Sequence, residues 1–95
     1  MGPVVHPGEI LADEIEERGL SVDQLGRILG VPTDQIAQIL KGEQRVTADT
    51  ALRLSQWLGT SAEVWLKLQM SYDLWLVDRE FGDEIRRTVV RQSAA

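Results

Sequence analysis

Two glutamines three residues apart, Gln35 and Gln38, lie on a short segment whose apolar residues have helical spacing. A side-chain amide can donate and accept hydrogen bonds together, which suits bidentate contact with the edge of an adenine. Just before them, the carboxylate of Asp34 can accept from cytosine N4, and the Thr33 side chain can meet thymine or a phosphate. We therefore expect a base-reading group without an arginine for guanine, made of Thr33, Asp34, Gln35 and Gln38.

Four further residues flank this group and can hold phosphates rather than bases. Gln24 stands before it, and Lys41, Arg45 and Thr47 follow it. Backbone N–H groups at helix starts can bind phosphate as well, and they need no net positive charge. We therefore expect these four side chains to be the phosphate ligands.

The net charge of −5 is unfavourable for such contacts, because lysine and arginine normally supply most of the non-specific affinity for DNA. The charge is unevenly spread, however. Residues 1–20 contain five acids against Arg18 alone, whereas residues 21–60 balance four acids with four basic residues. The acidity therefore belongs mainly to the first predicted helix.

Composition predicts one ordinary globular domain over residues 1–95, with 43% apolar and 26% charged residues. No apolar run approaches the roughly 20 residues that span a bilayer, and the first ten residues do not resemble a signal peptide. We therefore expect a cytoplasmic protein without membrane contact. There is no cysteine and one histidine, His6, so we expect no metal site and no cofactor. No phosphate-cradling glycine loop and no nucleophile beside a base are recognisable, which argues against an enzyme and a small-molecule substrate.

Turn and cap residues divide the chain into short helices. The first is predicted from about Pro7 to Arg18, and Ser21 with Gln24 has the spacing of a capping box for the second. Thr47 is the expected N-cap of the fourth. The glycines expected to end the helices are Gly19, Gly30, Gly42 and Gly59. The residues expected to face the core from the first four helices are Ile10, Leu11, Ile15, Leu25, Ile28, Leu29, Ile36, Ile39, Leu40, Ala51, Leu54, Ser55 and Leu58.

The fifth helix, about residues 61–80, is predicted to follow Thr60, whose partner in a second capping box is Glu63. It carries two apolar stripes on different sides. The stripe expected to face the core is Val64, Trp65, Leu68, Tyr72, Trp75 and Leu76. The other stripe has nothing to cover it in so small a chain, which predicts a homodimer interface. Its members are Leu66, Met70, Leu74 and Val77.

Residues 21–42 have the spacing of a helix-turn-helix. Gly26 is the small residue expected where the two helices approach, and Gly30 lies in the turn. The apolar anchors are Leu25, Leu29, Val31, Ile36 and Ile39. In such a motif the second helix enters the major groove and presents its outward, N-terminal side chains to the bases. The expected fold is all-α, with five helices.

Four segments together resemble the HigA-type antitoxins of the Xre class, which have the Cro/cI-like (lambda-repressor-like) helix-turn-helix fold. They are HPGEIL, LGVPTDQIAQILKG, VTADTALRLSQWLGTSAEVWLKLQ and the following YDL. The likeness spans residues 6 to about 87. The helix-turn-helix core alone indicates the broad class, whereas HPGE before it and TADTALRL with GTS..VWL.LQ..YDL after it are specific to this antitoxin group.

The resemblance implies a bacterial homodimer that neutralises a RelE-like, mRNA-cleaving toxin encoded beside it. It also implies a transcription repressor that binds an inverted repeat in double-stranded DNA at their shared operon. By position, the groove-entering residues of the family fall on Thr33, Asp34, Gln35 and Gln38, and its basic loop falls on Glu43, Gln44 and Arg45. The chain departs from the family at Pro32, where serine is usual, and at Val22, where a phosphate-binding glutamine is usual. Its reading face also lacks the usual arginine or lysine.

The acids of the first helix can complement a basic ribonuclease and speed its encounter. We therefore expect Glu14, Glu16 and Glu17 to belong to the toxin-binding surface. Two other functions stay open. A stand-alone transcription regulator would have no toxin gene beside its own. A protein-interaction module would keep the fold without binding DNA, and the weakly basic reading face favours this second alternative.

Overall fold

The computed structural model describes residues 4–92 of the chain. This range contains five α-helices and no strand. Their bounds are α1 Pro7–Arg18, α2 Val22–Leu29, α3 Thr33–Leu40, α4 Ala48–Leu58 and α5 Ala62–Thr88. The all-α fold of five helices expected from the sequence is confirmed. None of the helices in this range is long and apolar enough to cross a membrane.

Local hydrogen bonds fix both ends of α1. His6 is the N-cap, and its Nδ1 atom accepts a hydrogen bond from the backbone N–H of Gly8 at 2.9 Å. At the other end Gly19 has a φ of 63°, a left-handed conformation that glycine adopts at no steric cost. This turn lets the backbone N–H of Leu20 reach the carbonyl oxygen of Ile15 at 3.0 Å. The predicted bounds of α1 are confirmed.

The predicted caps of α2 and α4 are also confirmed. Ser21 Oγ accepts from the backbone N–H of Gln24 at 3.1 Å, and Gln24 Oε1 accepts from the backbone N–H of Ser21 at 2.8 Å. This is the reciprocal pair of a capping box. Thr47 Oγ1 accepts from the backbone N–H of Thr50 at 3.3 Å at the start of α4. Side chains therefore satisfy backbone donors at the beginning of both helices.

The fifth helix departs from its prediction at both ends. Its N-cap is Ser61 and not Thr60, because Ser61 Oγ accepts from the backbone N–H of Glu63 at 3.1 Å. The helix then continues to Thr88 instead of ending near residue 80. At 1.5 Å per residue its 27 residues span about 40 Å, a large part of the 53 Å length of the molecule.

The core lies where α1 to α4 meet the first half of α5. Its side chains with 0% exposure include Leu11, Leu25, Ile36, Ile39, Ala51 and Leu54. The prediction that Ile28 faces this core is wrong, since its side chain is 48% exposed. Helix α2 turns Gly26 and Leu29 inward, and Ile28 lies about 200° from Gly26 around the helix. Ile28 therefore points away from α3.

The core stripe predicted for α5 is right only in part. Trp65 is buried and Leu68 packs against the core, but Val64 and Trp75 are exposed. The buried residue one turn after Trp65 is Gln69, which the hydropathy pattern could not single out. Helix α5 therefore covers the core with a narrower face than its apolar residues suggested.

Candidate nucleic-acid interface

Gly26 sets the close approach between α2 and α3. A Cβ atom on Gly26 would lie 2.9 Å from the carbonyl oxygen of Val31 and 3.3 Å from Thr33 Oγ1. The backbone N–H of Val31 donates to the carbonyl oxygen of Gly26 at 2.9 Å across the same turn. The prediction of a small residue at this position is confirmed, and α3 is held against α2 from its first residue.

Three of the four predicted base-reading residues project from α3 into solvent. Thr33, Asp34 and Gln38 are exposed. Gln35 is half-buried, and its Nε2 group lies 3.4 Å from Thr50 Oγ1, to which it donates. The structure therefore brings Thr33, Asp34 and Gln38 to one open helix, whereas Gln35 is turned partly towards α4.

The start of α3 is capped differently from α1, α2, α4 and α5. Pro32 occupies the N-cap position, and its side chain makes no capping hydrogen bond. The carbonyl oxygen of Pro32 accepts from the backbone N–H of Gln35 at 3.1 Å, which begins the helical ladder. The backbone N–H groups of Thr33 and Asp34 precede that ladder, so they can donate to solvent or to a phosphate.

Gln24 and Thr47, two of the predicted phosphate ligands, already have capping roles. Gln24 uses its Oε1 atom in the capping box and keeps its Nε2 group as a donor at an exposed position. Thr47 uses its hydroxyl oxygen as the N-cap acceptor of α4. Gln24 can still reach outwards as a donor, because the capping bond occupies only its acceptor. The hydroxyl of Thr47 instead donates to Thr50 Oγ1 at 3.3 Å, so a phosphate would have to replace that bond.

The loop between α3 and α4 folds over the end of α3. The backbone N–H groups of Glu43 and Gln44 donate to the carbonyl oxygen of Gln38 at 2.9 and 3.3 Å. Lys41, in the same loop, is exposed. The loop that carries the predicted phosphate ligands therefore adjoins Gln38, one of the exposed residues predicted to read a base.

Arg45 has a partner that sequence analysis missed. Its Nε and Nη2 atoms donate to Asp73 Oδ2 at 2.8 and 2.5 Å, and Asp73 lies on α5. Partial burial opposes ionisation of Asp73, but hydrogen bonds from Arg45 and Gln69 outweigh it and hold the pKa of the carboxyl below its usual value. Asp73 stands in the YDL segment of the sequence, which was the only signal that could have drawn attention to it.

The residues predicted for the dimer interface lie along one side of α5. Met70, Leu74 and Val77 are exposed, at 55%, 64% and 46%. Leu66 is half-buried and packs against the core, so it contributes less to the open surface. Beyond Val77 the same helical spacing continues through exposed Phe81 and Ile85. The structure thus lengthens this stripe past the predicted end of the helix.

The acids predicted to bind a toxin lie on α1 in different surroundings. Glu16 and Glu17 are exposed. Glu14 is half-buried and forms an ion pair with Arg18, whose guanidinium carbon lies 5.3 Å from the centre of the Trp57 ring. Glu14 therefore holds an arginine in place, whereas Glu16 and Glu17 face solvent.

His6 has a structural role beside its cap of α1. Its ring packs edge-on against Tyr72, with ring centres 4.9 Å apart. Burial lowers the pKa of His6, although the carboxylates of Asp73 and Glu9 and a backbone contact with Gln44 oppose the shift. Among residues 4–92 there is no group of three or more His, Cys, Asp or Glu side chains that could hold a metal ion.

Comparison with known proteins agrees with this geometry. A family model described as helix-turn-helix matches residues 11–65. Virulence-associated protein I of Dichelobacter nodosus is 40% identical over 79 residues, which cover 82% of this chain and 73% of that protein.

Two solved structures share the fold along nearly the whole chain. Antitoxin GraA in complex with its operator is 46% identical, with a TM-score of 0.89 and coverage of 99% of this chain and 95% of that one. Pseudomonas aeruginosa antitoxin HigA with the higBA promoter is 33% identical, with a TM-score of 0.89 and coverage of 96% and 100%. The chain therefore belongs to the Xre-like helix-turn-helix family and, within it, to the HigA antitoxins.

Proposed function

We propose that this protein is an antitoxin and a repressor of its own operon, which reads an inverted repeat in double-stranded DNA with α3. The supporting observation is the exposure of Thr33, Asp34 and Gln38 on the second helix of a helix-turn-helix. Two proteins with the same fold were solved with operator or promoter DNA. The sequence-based exclusion of an enzyme is confirmed by the family, whose members are DNA-binding regulators and antitoxins.

DNA binding by this chain requires a dimer, because the reading surface of one copy is close to neutral. Lys41 and Arg45 are opposed by the exposed acids Asp34 and Glu43. A pair of subunits that places two α3 helices about 34 Å apart can read half-sites one helical turn apart. Two modest contacts then add their binding free energies on one DNA molecule.

The proposed dimer interface is the open stripe of α5, in which Met70, Leu74 and Val77 project from the fold. The apolar side chains continue to Phe81 and Ile85, so the stripe offers a long contact for a second α5. An isologous contact of this kind pairs the same surface on both subunits. It would remove from water a patch of apolar side chains that a monomer leaves exposed.

The proposed protein partner is a RelE-like, mRNA-cleaving toxin encoded by the neighbouring gene. A ribonuclease that binds RNA is expected to carry a basic surface. The exposed carboxylates of Glu16 and Glu17 on α1 complement such a surface. They leave α3 open, so one subunit can hold the toxin and DNA at different places.

Two readouts in one bacterial strain test the function. Expression of the protein should lower a reporter driven by the DNA upstream of its gene, and co-expression should restore growth that the neighbouring gene alone stops. Gln38→Ala should relieve repression and still restore growth. The paired substitution Glu16→Lys and Glu17→Lys should weaken the rescue of growth and retain repression.

Two outcomes would contradict this proposal in different ways. Repression together with a neighbouring gene that leaves growth unaffected would favour a stand-alone regulator. Rescue of growth without repression would favour an interaction module that has kept the fold but does not read DNA.

A further inference from the structure

A chain of hydrogen bonds connects the core to the loop beside the recognition helix α3. Gln69 is only 1% exposed, and its Oε1 atom accepts from the backbone N–H of Val46 at 2.8 Å. Its Nε2 group donates to Asp73 Oδ1 at 2.9 Å. The other oxygen of Asp73 accepts the two hydrogen bonds from Arg45. A buried glutamine thus fixes a carboxylate, and the carboxylate fixes an exposed guanidinium.

We propose that Asp73 and Gln69 are positioning residues for DNA binding, which hold Arg45 ready to bind a phosphate. The inference deepens the proposed function and rests on it. Asp73 occupies the Nε and Nη2 edge of the guanidinium. The Nη1 and Nη2 edge remains for a second bidentate partner, and a phosphate fits that planar fork.

The exposure of the two side chains shows which of them faces outwards. The side chain of Arg45 is 63% exposed and that of Asp73 is 33% exposed. Asp73 is therefore the more buried member of the pair, and Arg45 is the more open to solvent. An arginine held in this way loses less rotamer freedom when it binds a phosphate than a free arginine does.

The opposite role for Asp73 would be competition with DNA. A carboxylate at this place also repels phosphate and partly neutralises Arg45, so charge alone predicts that its removal strengthens binding. Positioning predicts that its removal weakens binding. The two roles therefore differ in the sign of one measured effect.

The test is a titration of the upstream duplex at a series of salt concentrations with four proteins. These are the wild type, Asp73→Asn, Arg45→Ala and the double variant. Asp73→Asn should weaken binding on the order of tenfold, the scale of one charge-assisted hydrogen-bonded contact. The slope of log affinity against log salt should fall by about one per subunit, as in Arg45→Ala. The double variant should bind no more weakly than Arg45→Ala alone.

Two controls separate positioning from general effects. Asp78→Asn removes the same charge from α5 outside this chain of hydrogen bonds, and it should leave affinity and salt slope close to the wild-type values. Arg45→Lys keeps the charge in an exposed loop but loses the two-pronged contact with Asp73. It should bind DNA less tightly than the wild type. Thermal unfolding of each variant establishes that it is folded.

Tighter binding by Asp73→Asn with a steeper salt slope would overturn the inference in favour of competition. That result would leave the proposed function standing, because the wild type would still bind its own upstream DNA. Failure of the wild type to prefer that DNA over a shuffled duplex would overturn the proposed function, and this inference with it.

Discussion

Gly8, in the first turn of α1, lies so close to the carbonyl oxygen of Ile39 in α3 that no space remains for a Cβ atom. Both residues are buried, and Ile39 belongs to the helix that presents the candidate reading residues. The neighbour is backbone rather than the end of a flexible side chain, so it cannot move aside without shifting α3. The first helix therefore helps to fix where the recognition helix lies.

Gly8→Ala should lower the free energy of unfolding by about 2 kcal/mol or more, because the added methyl group forces α1 and α3 apart. Gly82→Ala is the matched control within α5. Its methyl group would meet only the side-chain ends of Asp78 and Arg86. Alanine is also the better helix former by about 1 kcal/mol, so Gly82→Ala should be neutral or stabilising. Urea unfolding measures the free energy of unfolding of both variants. An equal loss of stability in Gly8→Ala and Gly82→Ala would contradict the prediction that, of the two glycines, only Gly8 lies against backbone.

The position of His6 predicts how stability depends on pH. Burial lowers its pKa in the folded protein, so as pH falls the unfolded chain takes up the proton first. The contribution of neutral His6 to the free energy of unfolding should therefore be fully present near pH 7, and it should be lost as the pH falls below about 6.5, the usual pKa of histidine. His6→Asn keeps a capping acceptor for Gly8 but does not titrate, so it should flatten this decrease.

Urea unfolding of the wild type and His6→Asn at several pH values checks the prediction. His6→Ala loses the cap as well, and it should be less stable than His6→Asn by about 1 kcal/mol at every pH. An identical decrease in the wild type and His6→Asn would show that other groups cause the pH dependence.

The proposed dimer interface can be tested by introducing one negative charge on α5. Met70→Asp places a carboxylate in the middle of the exposed stripe, and burying it against a second copy would be costly. Sedimentation should show a dimer for the wild type at tens of micromolar and a monomer for this variant. Val64→Asp is the control, because Val64 is 51% exposed on another side of α5. A wild-type monomer, or a Met70→Asp dimer, would contradict this interface.

We expect the carboxylates on α1 to make a salt-dependent contact with the toxin. Reversal of Glu14, Glu16 and Glu17 to lysine should slow association with the toxin, more at low salt than at high salt. Glu16 and Glu17 should account for most of the effect, since Glu14 is already paired with Arg18. Stopped-flow association rates measure this. The control is the substitution of Glu80 and Glu84 on α5 by lysine. An equal slowing of association in this control would show that net charge, and not a surface on α1, causes the effect.

Local signals in the sequence predicted most of the fold. The bounds of α1 and the capping box of α2 depend on residues within one or two turns, such as Ser21 and Gln24. At the start of α5 the neighbouring hydroxyls of Thr60 and Ser61 are both competent caps, and spacing from Glu63 selected the wrong one. Local rules therefore fail where two adjacent residues offer the same chemistry.

The candidate site was less predictable because its contacts join distant parts of the chain. Arg45 and Asp73 are 28 residues apart in sequence, and no periodic pattern connects them. Gln35 was predicted to read bases from its type and position, but its contact with Thr50 depends on how α4 packs beside α3. Residue type indicated which side chains can bind DNA, and packing decides which of them are available.

The preference for its own upstream DNA tests the central claim most directly. The wild type, titrated at low salt, should bind the inverted repeat upstream of its gene at least about 100-fold more tightly than a shuffled duplex of equal length. Gln38→Ala should reduce that preference by about 1 to 3 kcal/mol per half-site, because Gln38 is the exposed amide on α3. Equal affinity of the wild type for the two duplexes would contradict the account of α3 as a reader of DNA.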